Sequence, residues 1–231
     1  MNKKPMIGII GKVQPRYEND FWHRIDEIDE LRYLILKHGG IAITILPTEK
    51  TLKFNDNDIK DDNIVDAEAI KDLERQIALC DGFILQPGEY SCNYEIEIAK
   101  IIIKLDKPLI GICAGFNNIL RALGSEVILD ATKKHDIYDM NYRHKVIIER
   151  DTKLYSYIGK DEIYVNSIHS MIASKELVES YAKISSYSYD GLVESFEVEN
   201  KKFIIGIKWH PELLKEEQYV DRLFSDFIKE C

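Results

Sequence analysis

The strongest constraint on this chain is a repeated order: a short apolar run, then a stretch with helical spacing. The runs are "PMIGII" (5–10), "IAITIL" (41–46), "GFILQ" (82–86) and "PLIGIC" (108–113). Each is β-branched or continuously apolar, as expected of strands covered on both faces. Residues 20–38 place Ile25, Ile28, Leu31, Leu34 and Ile35 at helical spacing, and Gly39-Gly40 then stops the helix. Helices are predicted over about 66–79, over 93–105, and again after Cys113. This alternation predicts an α/β fold with a mostly parallel central sheet and helices on both faces. Residues 48–64 are polar and rich in Asn and Asp, which predicts a long surface loop.

After about residue 125 the texture changes. "HKVIIER", "EIYVNS", "YAKISSYSYD", "GLVESFEVEN" and "KKFIIGIKW" read as strands joined by short turns, with Asp190-Gly191 and Glu199-Asn200-Lys201 as hairpin connections. An amphipathic helix is expected over about 215–229. Nothing in the 231 residues reads as a linker or a repeat, so residues 1–231 are expected to form a single domain.

The formal net charge is −9 and no basic stripe is present, which argues against a nucleic-acid partner. The apolar run in "MNKKPMIGII" is too short for a signal peptide or a membrane span, so a cytoplasmic protein with no membrane partner is expected. The four cysteines, Cys80, Cys92, Cys113 and Cys231, form no CxxC pair, and no Cys/His cluster has zinc spacing. Free thiols are expected: Cys80 as a core filler, Cys92 in a polar loop, Cys231 frayed.

Cys113 differs from the other three because it ends a buried strand immediately before a helix. Reactive groups collect at the carboxyl ends of strands in an open parallel sheet. Gly111-x-Cys113-x-Gly115 has the logic of a nucleophile elbow, a tight turn that pushes the sulfur out of the core. A helix N-terminus stabilises a thiolate, and the backbone N–H of Ala114 would face a developing oxyanion. A buried cysteine between two packing glycines explains the pattern equally well.

A nucleophilic thiol needs a base, and the base needs an orienting group. His23 and His38 fall in the first predicted helix, where solvated roles are expected. His135 and His144 flank a loop and a strand, with no acid at a suggestive spacing. His210 ends "FIIGIKW", and Pro211 keeps it extended. Residues two apart on an extended segment share a side, so Glu212 could accept from one imidazole nitrogen while the other faces the thiol. A surface His at a strand end, with a Glu opening a helix, is the plainer alternative.

Three separated segments, "GICAG", "VNSIHS" and "GIKWHPE", together resemble the class I glutamine amidotransferase fold, in its γ-glutamyl-γ-aminobutyrate hydrolase and γ-glutamyl peptidase branch. "DGFILQPG" and "HGGIAITILP" fit the same pattern, so the resemblance covers nearly the whole chain. It implies a flavodoxin-like sheet and a Cys113-His210-Glu212 triad that needs no metal or organic cofactor. It also implies an oxyanion and substrate site drawn from Gly88, Glu89, Ala114, Asn117 and His169. A small γ-glutamyl substrate is the implied partner, with a homodimer open, and a synthetase partner only if the chain is an ammonia-donating glutaminase. A weakly active binding protein on the same scaffold is a third implied possibility. The chain departs from the branch pattern in places. Ala114 stands where Arg is usual, Asn117 where Gln is usual, Glu89 where a second Gly is usual, and Ser170 where His is usual. These departures bear on the substrate before they bear on the chemistry.

Overall fold

A computed structural model describes residues 3–14, 21–50, 52, 65–88 and 92–231. Nine strands form the main sheet: β1 (Met6–Ile10), β2 (Ile41–Ile45), β3 (Gly82–Leu85), β4 (Leu109–Ile112), β5 (His144–Ile148), β6 (Glu162–Val165), β7 (Lys183–Ser188), β8 (Val193–Glu197) and β9 (Ile204–Ile207). Their spatial order is β2-β1-β3-β4-β9-β8-β7-β5-β6. The first five in that order run parallel. The remaining pairings are antiparallel hairpins and returns. The chain lays down four parallel strands first, then the antiparallel strands, and its last strand, β9, returns to extend the parallel half.

Side chains of successive strand residues point to opposite faces. In β3, Phe83 and Leu85 enter one core cluster and Ile84 the other. The first cluster is closed by α2 (Ala67–Ala78), α3 (Asn93–Leu105) and α4 (Ala114–Leu123), through residues such as Leu73, Ile98 and Ile119. The second is closed by α1 (Asp29–Lys37), α5 (Lys153–Ile158) and α7 (Gln218–Glu230), through Leu34, Leu154 and Phe224. Each such fully buried aliphatic or aromatic side chain contributes about 1.5–3 kcal/mol relative to exposure. A short helix, α6 (Lys175–Glu179), packs beside β7 and β8.

The first predicted helix is too long. Residues 25–26 pair as a short strand with residues 12–13, and α1 begins only at Asp29. The cause is Gln86, a buried side chain at the end of β3. Its Oε1 accepts from the Ile28 N–H at 3.0 Å, and its Nε2 donates to the Asp26 and Ile10 carbonyls at 2.9 and 2.8 Å. That long-range anchor overrides the local helical spacing. His23 therefore precedes the helix, and His38 caps its end, with Nε2 3.2 Å from Asp221. Most of the predicted 48–64 loop lies outside the described residues.

Two cysteines also sit differently from expectation. Cys92 is buried at the start of α3, where its N–H donates to Glu95 Oε2 at 2.8 Å. Cys231 packs its sulfur against Gly82 and donates to the Phe227 carbonyl at 3.2 Å. Among the described residues, no helix is long and apolar enough to cross a membrane.

Candidate active site

The parallel strands end on one edge of the sheet, and this edge carries Gly11-Lys12, Pro87-Gly88, Cys113 and the Lys208–His210 segment. Cys113 follows β4 directly, with φ 50° and ψ −98°. A non-glycine residue at positive φ is strained, and such strain persists only where the surroundings over-determine it. Here the Cys113 N–H is pinned to the Ile207 carbonyl at 2.8 Å, and α4 starts at the next residue. The two glycines are steric requirements. A Cβ on Gly115 would lie 2.1 Å from the Leu85 carbonyl oxygen, and one on Gly111 would lie 2.6 Å from the Gly115 oxygen. Glycine at both positions thus lets strand, turn and helix close on one another here.

His210 follows β9 and opens the short turn Pro211–Leu214. Asn166 grips its backbone from both sides: the His210 N–H donates to Asn166 Oδ1 at 2.8 Å, and Asn166 Nδ2 donates to the His210 carbonyl at 2.9 Å. The imidazole Nδ1 lies 2.7 Å from Glu212 Oε1. That contact assigns the Nδ1 proton to the carboxylate and turns Nε2 toward the thiol. His210 Nε2 is 3.3 Å from the Ile168 carbonyl oxygen, and the Cys113 sulfur is 3.8 Å from the same oxygen. Cys113, His210 and Glu212 therefore meet in one place, from two separate strand ends.

The electrostatics follow from this arrangement. Burial pushes the Cys113 thiol up, but the charge and hydrogen bond of His210, aided by Lys208, outweigh it and hold the thiol below its ordinary value. Burial pulls His210 down, yet the neighbouring Glu212 and Cys113 carry it well above the usual imidazole range. The two groups favour a thiolate–imidazolium pair.

The other expected site residues lie at different depths. Ala114 is the first residue of α4, and N–H groups of a first helical turn have no intrahelical acceptor. Gly88 is exposed at the same edge and sits on the stem of Lys12; a Cβ there would come within 2.3 Å of Lys12 Cε. Lys12 is itself buried and paired with Glu95 at 2.8 Å, so the Gly88 turn rests on a fixed base. Glu89 lies outside the described residues. Asn117 is buried, and its Oδ1 accepts from Lys208 Nζ at 2.6 Å. His169 is buried, with Nε2 3.4 Å from Ser167 Oγ.

The sequence reading missed several groups. Asn166 was visible only as part of "VNSIHS", and nothing local marks it as the clamp on His210. Lys208 had a signal: it is a lysine closing an otherwise apolar strand. Burial pulls it down to about 8, although Cys113 and Glu194 favour its charged form. Glu194, in the buried strand β8, is pushed up to about 8 by burial, against the pull of Lys208. His135 and His144 gather around it, which their sequence positions did not disclose.

Residues 92–212 match the Peptidase C26 family. This chain belongs to the Peptidase C26 family. The matched segment holds Cys113, Asn166, Lys208, His210 and Glu212. Among curated proteins, the Peptidase C26 chain is 28% identical over 138 residues to the γ-glutamyl-γ-aminobutyrate hydrolase PuuD of Escherichia coli, covering 54% of each chain. It is 29% identical over 223 residues to the CTP synthase of Clostridium kluyveri, covering 84% of this chain and 40% of the synthase. It spans less than two thirds of the length of either relative. Among solved structures, a glutamine amidotransferase from Thermotoga maritima superposes with a TM-score of 0.63 at 12% identity, covering 99% of this chain and 96% of the other. That likeness shows the shared α/β fold.

Proposed function

We propose that this Peptidase C26 protein is a cysteine hydrolase that cleaves the γ-glutamyl amide bond of a small γ-glutamyl amine or peptide. The observation that carries the proposal is the strained Cys113 elbow facing an imidazole whose Nδ1 is bonded to Glu212 at 2.7 Å. The sulfur attacks the side-chain amide carbonyl, and the tetrahedral oxyanion is received by the N–H of Ala114 and a backbone N–H at Gly88. Each such donor is typically worth about 3–4 kcal/mol in the transition state. His210 gives its Nε2 proton to the leaving nitrogen, and the C–N bond breaks to release the free amine. Water, deprotonated by His210, then attacks the γ-glutamyl thioester. The thiolate departs and glutamate leaves. Glu212 holds the tautomer and stabilises the imidazolium throughout. Asn117, through its amide group, and Glu89 are assigned to the amino-acid head of the substrate. His169 supports the loop beneath it.

The resemblance to PuuD favours hydrolysis over ammonia donation. The resemblance to CTP synthase favours a second reading, in which the chain acts as a glutaminase for a separate synthetase. A screen of γ-glutamyl amides, with glutamine included, tests both by following glutamate release. Release from γ-glutamyl amines that is lost in Cys113→Ala supports hydrolysis. Release that survives Cys113→Ala refutes the nucleophile, and release only from glutamine in the presence of a partner selects the second reading.

A further inference from the structure

Beneath the pocket, three imidazoles surround one carboxylate. Glu194 Oε1 stands 3.6 Å from His144 Nε2, 3.8 Å from His135 Nδ1 and 3.9 Å from His169 Nε2. These separations are too long for hydrogen bonds. They are close to the spacing of donors around one small cation: ligands about 2.0–2.2 Å from a tetrahedral ion stand roughly 3.3–3.6 Å apart. One donor atom each from His135, His144 and Glu194 already lies within 4.8 Å of the others.

A second observation concerns how these atoms are satisfied. Both carboxylate oxygens of Glu194 and the His144 Nε2 that faces them are buried without a hydrogen-bond partner. Buried polar atoms are nearly always satisfied, and several orphans converging on one point mark a missing ion or water. The outer contacts also prepare a ligand. His135 Nε2 lies 3.1 Å from Asp190 Oδ2, so its proton goes to that carboxylate and Nδ1 keeps a lone pair, 3.2 Å from Ser167 Oγ and 3.8 Å from Glu194 Oε1. A carboxylate behind a ligating imidazole is a common support of metal sites. The Ser167 hydroxyl donates to the His135 carbonyl at 2.9 Å and fixes the same ring from its backbone.

We propose that His135, His144 and Glu194 bind a divalent transition-metal ion of the zinc type. Imidazole nitrogens with one carboxylate and no thiolate suit Zn²⁺, and also Co²⁺ or Ni²⁺, rather than Ca²⁺ or Mg²⁺. All three donors are buried, so the site is closed to solvent. The ion would join the loop at His135, the start of β5 and β8, and the His135 carbonyl in turn accepts from the His169 N–H at 3.0 Å. Ile168, next to His169, supplies the carbonyl shared by Cys113 and His210. The ion thus acts as a positioning element behind the pocket and takes no part in bond breaking.

The test uses untagged full-length protein, stripped with a chelator and titrated with Zn²⁺ or Co²⁺ alone. The expected results are one ion retained per chain by elemental analysis, a tetrahedral Co²⁺ absorption band and a higher Tm with metal. Glu194→Gln, which preserves shape, should weaken binding about 10- to 100-fold, and His144→Asn should do the same. Circular dichroism of both variants establishes that they are folded. Failure of the wild type to retain metal after gel filtration overturns the proposal. Equal retention by Glu194→Gln also overturns it, as does loss of the metal on Cys113→Ala alone, which would place the ion at the thiol. None of these readouts depends on turnover, so the assigned hydrolase reaction can fail while the metal site stands, and the reverse.

Discussion

Two buried glutamates face imidazoles in this molecule, and they do so at different distances. Glu212 lies 2.7 Å from His210, two residues on, in the 3-10 turn Pro211–Leu214 rather than the extended segment expected from the sequence. Glu194 meets three histidines from three other segments, none closer than 3.6 Å. The first spacing makes a directed hydrogen bond that fixes a tautomer and sustains a positive ring. The second makes no hydrogen bond and leaves both carboxylate oxygens without a partner. The same two residue types therefore serve different ends: one arrangement is complete in its imidazole–carboxylate bond, with only Glu212 Oε2 unpartnered, and suits proton transfer; the other has room for the proposed ion between its members.

The largest expected effects fall on the complete arrangement. Cys113→Ala should lower glutamate release from γ-glutamyl amides by about three orders of magnitude or more, measured as kcat/KM at constant fold. Glu212→Gln should follow, with a loss of about 10²- to 10⁴-fold in kcat, because the amide favours the wrong imidazole tautomer. The contrast between the two glutamates breaks if Glu194→Gln lowers kcat as deeply as Glu212→Gln. It sharpens if the Glu194 variant instead lowers Tm in the presence of Zn²⁺ and loses kcat less severely.

A third, smaller effect concerns the grip on His210. Asn166→Ala removes both backbone hydrogen bonds to that residue. The loss of one buried partner typically costs about 1–3 kcal/mol, so a lower Tm is expected. A merely structural role would stop there. If Asn166 positions the base, kcat should fall about 10- to 100-fold with KM little changed, because the substrate contacts remain. An unchanged kcat in folded Asn166→Ala would show that the turn after β9 holds His210 unaided.

What the sequence disclosed follows the same division. The parallel half was legible because each strand is a continuous apolar run and each helix has its own spacing; α3 falls on residues 93–105 as predicted. The elbow was legible because its steric demand is local: Gly111, Cys113 and Gly115 lie within five residues. The closeness of His210 and Glu212 was legible for the same reason. The cluster at Glu194 was not, because its members come from a loop, two strands and a second loop. No spacing in the chain encodes the register that brings Ser195 opposite Ile207 and so sets Glu194 beside Lys208. Ile25 and Ile28 misled for a related reason. Their helical spacing is real, but Gln86, far along the chain, captures the backbone there.

The smallest effect is a shift in a pH profile, and it tests the charge state that the complete arrangement implies. Cys113 is held below its ordinary thiol value, His210 outweighing the burial that would raise it, and His210 is held well above the imidazole range by Glu212 and Cys113. For the thiol, the folded pKa is depressed; its contribution to stability is therefore complete above the unfolded value and is lost as pH falls through the folded one. For the imidazole, the folded pKa is raised; its contribution is complete below the unfolded value and is lost as pH rises through the folded one. The ion pair accordingly dominates between those two limits. Alkylation of Cys113 by iodoacetamide should stay fast well below a pH of about 8.5, where an isolated thiol is protonated. In His210→Ala the profile should move toward the ordinary thiol, since burial then acts with less opposition. Glu212→Gln should shift it less, because the Cys113–His210 contact survives. Mass spectrometry of the alkylated peptide distinguishes Cys113 from the other three thiols. A wild-type profile with its midpoint at or above that of free cysteine would mean that burial outweighs the imidazole, and that the sulfur needs substrate in place before it gives up its proton.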